Sequence, residues 1–345
     1  VATLFSLKNA EQVRLSQTAQ MQRNVKRFYE QLAKETKKQI AIRGGEDIEK
    51  AQLVLLERDL KQRIKEINED IQNGIVDSMK TTANAVVEDT KSFLRRVGFK
   101  KTDVMNAFLY VPDNVVQNIV NGNVYQDGWS LSKAIWGQTQ NFNQKLSEIV
   151  AQGTATSKSA YEIAKDLEKY VSPTESKASR VIESWVNRKD SKGNWILEKD
   201  KNGNPILDAK GNPIKKRYKK DFYFGEVDYN AQRLARTMVS HAYQQSFEAV
   251  NRNDPFVIGY KWLTSNFHGR VCSICSDRAT KDNFGLGSGV FPKDQLPLDH
   301  PNGMCTFEAV MSGSLTDISN QIADWYKAPT GTYPEIDRYA QEFLY

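Results

Sequence analysis

The chain has 345 residues, a net charge of +6, 39% apolar side chains, three cysteines and three histidines. No apolar run approaches the roughly 18 residues that span a bilayer, and an odd cysteine count argues against a full disulfide framework and an oxidising compartment. The charge is local: residues 188–220 hold eleven basic and four acidic side chains, a local +7, so the rest sits near −1 and a general nucleic-acid-binding body is not implied.

The first residues lack a basic segment ahead of a long apolar core, which predicts no secretory leader and synthesis in a reducing cytoplasm. Residues 10–98 read as helix. Leu53, Leu56, Leu60, Ile64, Ile67, Ile71 and Ile75 recur with a period of about 3.67, one stripe down one face. Gly44-Gly45 separates this helix from an earlier one over residues 11–42, so two long amphipathic helices are expected. Residues 99–128 are mixed, with Pro112 and two Asn/Gly clusters. A strong helix follows over 130–150, with Leu131, Ile135, Phe142, Leu146, Ile149 and Val150 on its apolar side and Gly153 as its expected stop. Ser159-Ala-Tyr-Glu162 is a capping-box sequence that opens the next helix, carrying Ile163, Ala164, Leu167 and Tyr170. Residues 176–187 also read as helical.

The character then changes. Residues 190–196, 200–206 and 208–214 are three copies of one short pattern, each with Gly-Asn between short apolar stretches, a turn signal. A small β-ribbon insertion over 188–220 is expected. Its basic end, Lys215, Lys216, Arg217, Lys219 and Lys220, suits either weak contact with DNA phosphates or a solvated edge that resists aggregation. Asp228 can cap a helix that runs to about Val250; His241 lies on it without a partner motif and is assigned no role. Residues 256–264 read as a strand, 277–299 as a loop and 306–311 as a second strand. The tail, 312–345, is expected to hold a short helix near 317–326 and an aromatic segment that docks on its own domain or on a neighbour. The fold class is therefore mainly α with a small β component (α+β).

All three cysteines and one histidine fall in one pattern: Cys272-Ser-Ile-Cys275, then twenty-four residues, then His300-Pro-Asn-Gly-Met-Cys305. Cys272, Cys275, His300 and Cys305 form a complete ligand set for a structural zinc ion, which takes four tetrahedral N/S ligands and often takes two from one C-x-x-C turn. The plain alternative is three unpaired thiols, since free cysteine is a common small buried hydrophobe. No Ser/His/Asp, Cys/His or open-metal arrangement is evident, which predicts action by binding and no enzymatic turnover. Asp299-His300 between cysteines is superficially similar to an HNH-type zinc nuclease. That reading needs a second C-x-x-C, and no cysteine follows Cys305.

Three phrases occur in a recognisable order. They are Leu131-Ser-Lys-Ala-Ile-Trp136 with the 159–167 helix, then Ala231-Gln-Arg-Leu-Ala-Arg-Thr237, then the Trp262 strand with Gly269-Arg-Val-Cys272-Ser-Ile-Cys275 and Leu298-Asp-His300-Pro-Asn-Gly-Met-Cys305. Together they resemble the Mu F-like family of phage minor head (head-morphogenesis) proteins over residues 130–311. With the periodicity and composition read above, the chain divides into three regions: a helical N-terminal region (1–128), the head-morphogenesis domain that the resemblance implies (129–311) carrying the ribbon insertion, and a docking tail (312–345). The resemblance further implies a few-copy virion component near the portal vertex, with the portal protein and the major capsid protein as partners, acting in procapsid assembly and in genome packaging or delivery. The family often ends in His-Pro-Asn-Cys-Arg-Cys; here Gly303 and Met304 stand in place of the first Cys and the Arg.

Overall fold

A computed structural model of the chain describes residues 3–125, 129–172, 181–187, 197–200, 204–207, 212–214, 217–223, 227–265 and 271–344. The chain divides into two compact units, one of residues 1–172 and 228–345, the other of residues 173–227. The described residues are mostly helical, with a small antiparallel sheet. No described helix is long and apolar enough to cross a membrane.

In the larger unit, a short strand β1 (Leu4–Ser6) leads into α1 (Lys8–Ile42). Gly44, with φ of 114°, and a single 3-10 turn (Gly45–Asp47) reverse the chain into α2 (Lys50–Arg96). Left-handed backbone is open to glycine at no steric cost, so the Gly-Gly pair sets the hairpin. All seven residues of the expected stripe on α2 are buried, and α1 answers with Met21, Val25, Tyr29, Leu32 and Ile40. The mixed segment forms α3 (Lys101–Val104) and α4 (Val111–Asn121), the latter with Pro112 in its first turn and Gly122 in the left-handed region at its end.

Ser130 caps α5 (Leu131–Ala155) by accepting from the Lys133 amide. The expected stop at Gly153 is incorrect: the helix continues through it. Glycine is needed there for packing, because a Cβ would lie 2.4 Å from Ile163 Cγ1 on α6 (Ala160–Val171). The Ser159–Glu162 capping box of α6 is present with both reciprocal bonds.

Helix α7 (Val227–Asn251) begins one residue before Asp228, which sits in its first turn instead of at the cap. Strand β4 (Val257–Leu263) follows, then α8 (Ser273–Thr280), β5 (Val290–Phe291) and β6 (Thr306–Met311). The segment expected as loop thus holds the end of α8 and a short strand. The tail forms α9 (Leu315–Lys327) and a second helix, α10 (Pro334–Phe343), which the aromatic composition did not announce.

The sheet order is β1-β6-β4-β5, antiparallel throughout. Its inner face and α7 share an aromatic core. Trp262 and Phe307 meet edge to face at 5.0 Å, and Phe247 meets Tyr260 at 5.1 Å. Phe5, Phe93, Ile322, Ile336 and Tyr339 belong to the same core, so the N-terminal strand, the end of α2 and the tail all close on it.

In the smaller unit, residues 181–187 are not helical. Val181–Asn187 is a strand, β2, paired antiparallel with β3 (Arg217–Tyr223) from Val181↔Tyr223 to Asn187↔Arg217. Val181, Ile182, Trp185 and Val186 are β-branched or aromatic, and the pairing with a distant segment decides between two readings that local pattern left balanced. Backbone bonds then close a three-membered ring over the repeats. The Ile206 amide donates to Glu198 O at 2.9 Å, Ile214 to Ile206 O at 2.8 Å, and Glu198 to Ile214 O at 2.8 Å. These bonds join Glu198, which follows the first repeat, to Ile206 and Ile214, the last residues of the second and third, in a closed cycle that a simple hairpin lacks. Residues 190–196 and 176–180, with Lys215 and Lys216, lie outside the described residues; Arg217, Lys219 and Lys220 lie on β3.

Two glycines on α5 give opposite expectations. Gly153→Ala forces its methyl into Ile163, an overpacking cost of about 1–3 kcal/mol that exceeds the helix-propensity gain of about 1 kcal/mol. Gly137 has open space around its missing Cβ, so Gly137→Ala keeps most of that gain. Urea unfolding should find the first variant less stable than the parent and the second at least as stable.

Candidate metal centre

Helix α8 begins at Cys272, whose side chain occupies the cap position and accepts from the Cys275 amide at 3.3 Å. Cys272 is exposed, while Cys275, one turn into the helix, and Cys305, just ahead of β6, are buried. His300 reaches across from the following loop, its Nε2 lying 3.2 Å from Cys272 Sγ. Donor atoms of Cys272, Cys275 and His300 all lie within 4.8 Å of one another, as do those of Cys275, Asp299 and Cys305. The four residues expected from sequence are thus brought together as two overlapping triads that share Cys275, and Asp299 joins them. This is a candidate metal site.

The histidine is in the tautomer that a metal ligand needs. His300 Nδ1 lies 3.0 Å from the Pro301 carbonyl oxygen. A carbonyl can only accept, so Nδ1 carries the proton and Nε2 presents its lone pair towards the cysteines.

The thiols sit among groups that pull in both directions. Burial pushes the Cys275 thiol well up, and its sulfur neighbours Cys305 and Cys272 add to this. Burial also raises Cys305, with Asp299 adding to it, while N–H groups of Ser265 and Trp262 oppose. The Trp262 indole nitrogen is buried with no partner in hydrogen-bonding geometry, yet it lies close enough to Cys305 to favour its thiolate. Without a cation the buried thiols stay protonated near neutral pH; a bound cation removes those protons outright.

The turn that carries His300 to Cys305 is held by α7. Asp299 is 4% exposed. Its Oδ1 accepts from the His300 amide at 2.8 Å and its Oδ2 from the Cys305 amide at 3.1 Å. Its own amide donates to Gln244 Oε1 at 2.9 Å, and its carbonyl accepts from His241 Nε2 at 3.0 Å. Asn302, at φ of 69°, donates its amide to Thr237 Oγ1 at 2.8 Å and accepts from Arg236 at 2.7 Å. Gly303 has no room for a side chain, since a Cβ would lie 2.2 Å from Asp299 Oδ2. That contact explains why no cysteine can stand at 303 in this turn.

Sequence reading took His241 as structural, with no functional role assigned, and the structure supplies its partners. The signal was available: Thr237, His241 and Gln244 recur at i, i+4 and i+7, a buried polar stripe beside the apolar one. His241 donates from Nε2 to a carbonyl, so its Nδ1 accepts, and the Tyr125 hydroxyl supplies that bond at 2.9 Å. Burial lowers its pKa to about 4, against the partial support of Asp299.

Comparison of the chain with protein-family models, curated proteins and solved structures finds no match.

The state of His241 makes a pH prediction. Its folded pKa lies below the unfolded value of about 6.5, so its contribution to stability is complete above that pH. It is lost as the pH falls from about 6.5 to about 4. Asp254 and Glu248 act oppositely, because burial lifts them to about 6 and about 7, and their protonation favours the fold. A His241→Asn variant isolates the imidazole. Its stability deficit relative to the parent, measured by urea unfolding, should shrink by about 2 kcal/mol between pH 7.5 and pH 4.5. A pH-independent deficit would mean that the imidazole titrates normally.

Proposed function

We propose that this chain acts by binding, as a minor head protein of the Mu F-like kind that joins the portal vertex of a phage head during procapsid assembly. In this reading Cys272, Cys275, His300 and Cys305 hold one structural zinc ion. The observation that carries it is the meeting of the three sequence phrases on which the resemblance rests. Gln138, two residues past Trp136, donates to the Asn230 carbonyl just ahead of the second phrase at 3.4 Å, and Arg236 and Thr237 of that phrase bond Asn302 of the third. The flanks of the first two phrases thus touch, and the second phrase bonds the third directly.

The zinc assignment is supported by the donor set. Three thiols and an imidazole with a free Nε2 suit zinc, and closing the two triads on one tetrahedral ion would bring their ligand atoms, at about 2.0–2.3 Å from it, under 4 Å apart. Four protein ligands leave no position for a reacting water, so the ion acts as a staple. When bound, it cross-links α8 to the His300–Cys305 turn and keeps three thiolates ionised.

The nuclease alternative is less well supported. Both carboxylate oxygens of Asp299 accept backbone amides, and His300 Nδ1 is occupied by Pro301. Both groups thus spend these atoms on backbone partners. A DNA-binding role through Arg217, Lys219 and Lys220 on β3 would appear as steeply salt-dependent affinity.

The partner assignment has a direct test. Heads assembled with and without portal protein should differ, with this protein present near the portal in the first and missing from the second. Incorporation at an unchanged copy number in heads that lack portal would refute the portal as its docking site.

A further inference from the structure

Arg14 lies on α1, far in sequence from the knuckle, yet its side chain is 1% exposed beneath the His300–Cys305 turn. Nη2 donates to the Met304 carbonyl at 3.3 Å, and Nη1 donates to Ser240 Oγ at 3.4 Å and to Met304 Sδ at 4.0 Å. The guanidinium carbon lies 5.0 Å from the centre of the Tyr243 ring. These contacts are thin for a buried cation. Nε has no hydrogen-bond partner, and among the described residues Glu11, the one carboxylate in ion-pair range, is 4.0 Å away and partly exposed. A guanidinium does not shed its proton inside a protein, and a buried charge without an opposite charge is strongly disfavoured.

The knuckle can supply the missing charge. Asp299 and Cys305 are both close enough to favour the charged guanidinium, after Tyr243 and Glu11. Three thiolates and a neutral imidazole around a divalent ion carry a net charge of −1. Asp299, the carboxylate of the same turn, already has both oxygens bonded to backbone amides.

Resting on the metal reading above, we infer that Arg14 is the counter-cation of the metal–thiolate centre and couples metal loading to docking of the N-terminal arm. The arm is placed to respond. Strand β1 pairs with β6, which starts at the residue after Cys305, and the Met311 amide donates to Thr3 O at 2.9 Å. Arg14 follows β1 within two turns of α1. Coupling of this kind is reciprocal: metal tightens the arm by the same factor by which the docked Arg14 tightens metal.

The test uses the full chain with zinc as the probe, in the parent, Arg14→Met and Arg14→Lys. Bound zinc is measured by elemental analysis, zinc affinity by chelator competition, and hydrogen exchange is followed over residues 3–14. In the parent, removing zinc should speed exchange over 3–14. Arg14→Met should lose about 10–100-fold in zinc affinity, the usual range for groups that support metal ligands, and its arm should exchange alike with and without metal. Arg14→Lys keeps the charge and should stay within about tenfold of the parent. Equal losses in Lys and Met would overturn the role of charge. Parent protein that binds zinc but shows no change over 3–14 would overturn the coupling, whether or not the variants fold. Parent protein that takes up no zinc would remove the metal reading and this inference together, a result distinct from bound but uncoupled metal.

Discussion

One buried residue, Asp299, organises the second half of the site. Its carboxylate spans the amides of His300 and Cys305, its carbonyl accepts a hydrogen bond from His241 Nε2, and its amide donates to Gln244. A carboxylate this deeply buried is tolerated only where its oxygens are satisfied. Satisfying them fixes the turn that sets both the histidine and the third cysteine. Several local choices then follow: glycine at 303 because the carboxylate fills the space, left-handed backbone at Asn302, and a polar stripe on α7 where an apolar one would otherwise continue.

The two halves of the site are thus built differently. Cys272 and Cys275 come from a cap and first turn, a local unit that needs nothing distant. His300 and Cys305 come from a turn held by a helix some sixty residues earlier. A metal ion joining them would tie α8 to the turn, across a segment rich in Gly and Asp that is otherwise anchored by Phe291 and Leu296 in the core. The aromatic core beneath, with Trp262 at its centre, is complete without the ion. A metal here would order the loop and leave the helical body as it is.

The fold was legible where burial leaves a period. The α2 stripe, the Ser130 and Ser159 caps and strands β4 and β6 were all written in local pattern. The four clustering residues were legible too, because cysteine and histidine were scarce enough for their spacing to stand out. What escaped were features decided by distant partners. Strand β1 is three residues long and exists through its pairing with β6. Strand β2 has a composition that tolerates helix until β3 is present. Gly153 resembles a stop until Ile163 is seen against it. Asp299 and Arg14 belong to no spacing rule; each is explained by a backbone group or charge on another element.

X-ray absorption at the zinc edge, on protein purified without chelator, tests the central claim most directly. The account predicts about one zinc per chain with three sulfur neighbours near 2.3 Å and one nitrogen near 2.0 Å. Protein without bound metal, its loop still ordered, would contradict it, as would a shell of oxygen and nitrogen alone. Either result would leave Cys275 and Cys305 as ordinary buried thiols beside Asp299, and Cys272 as an exposed helix cap.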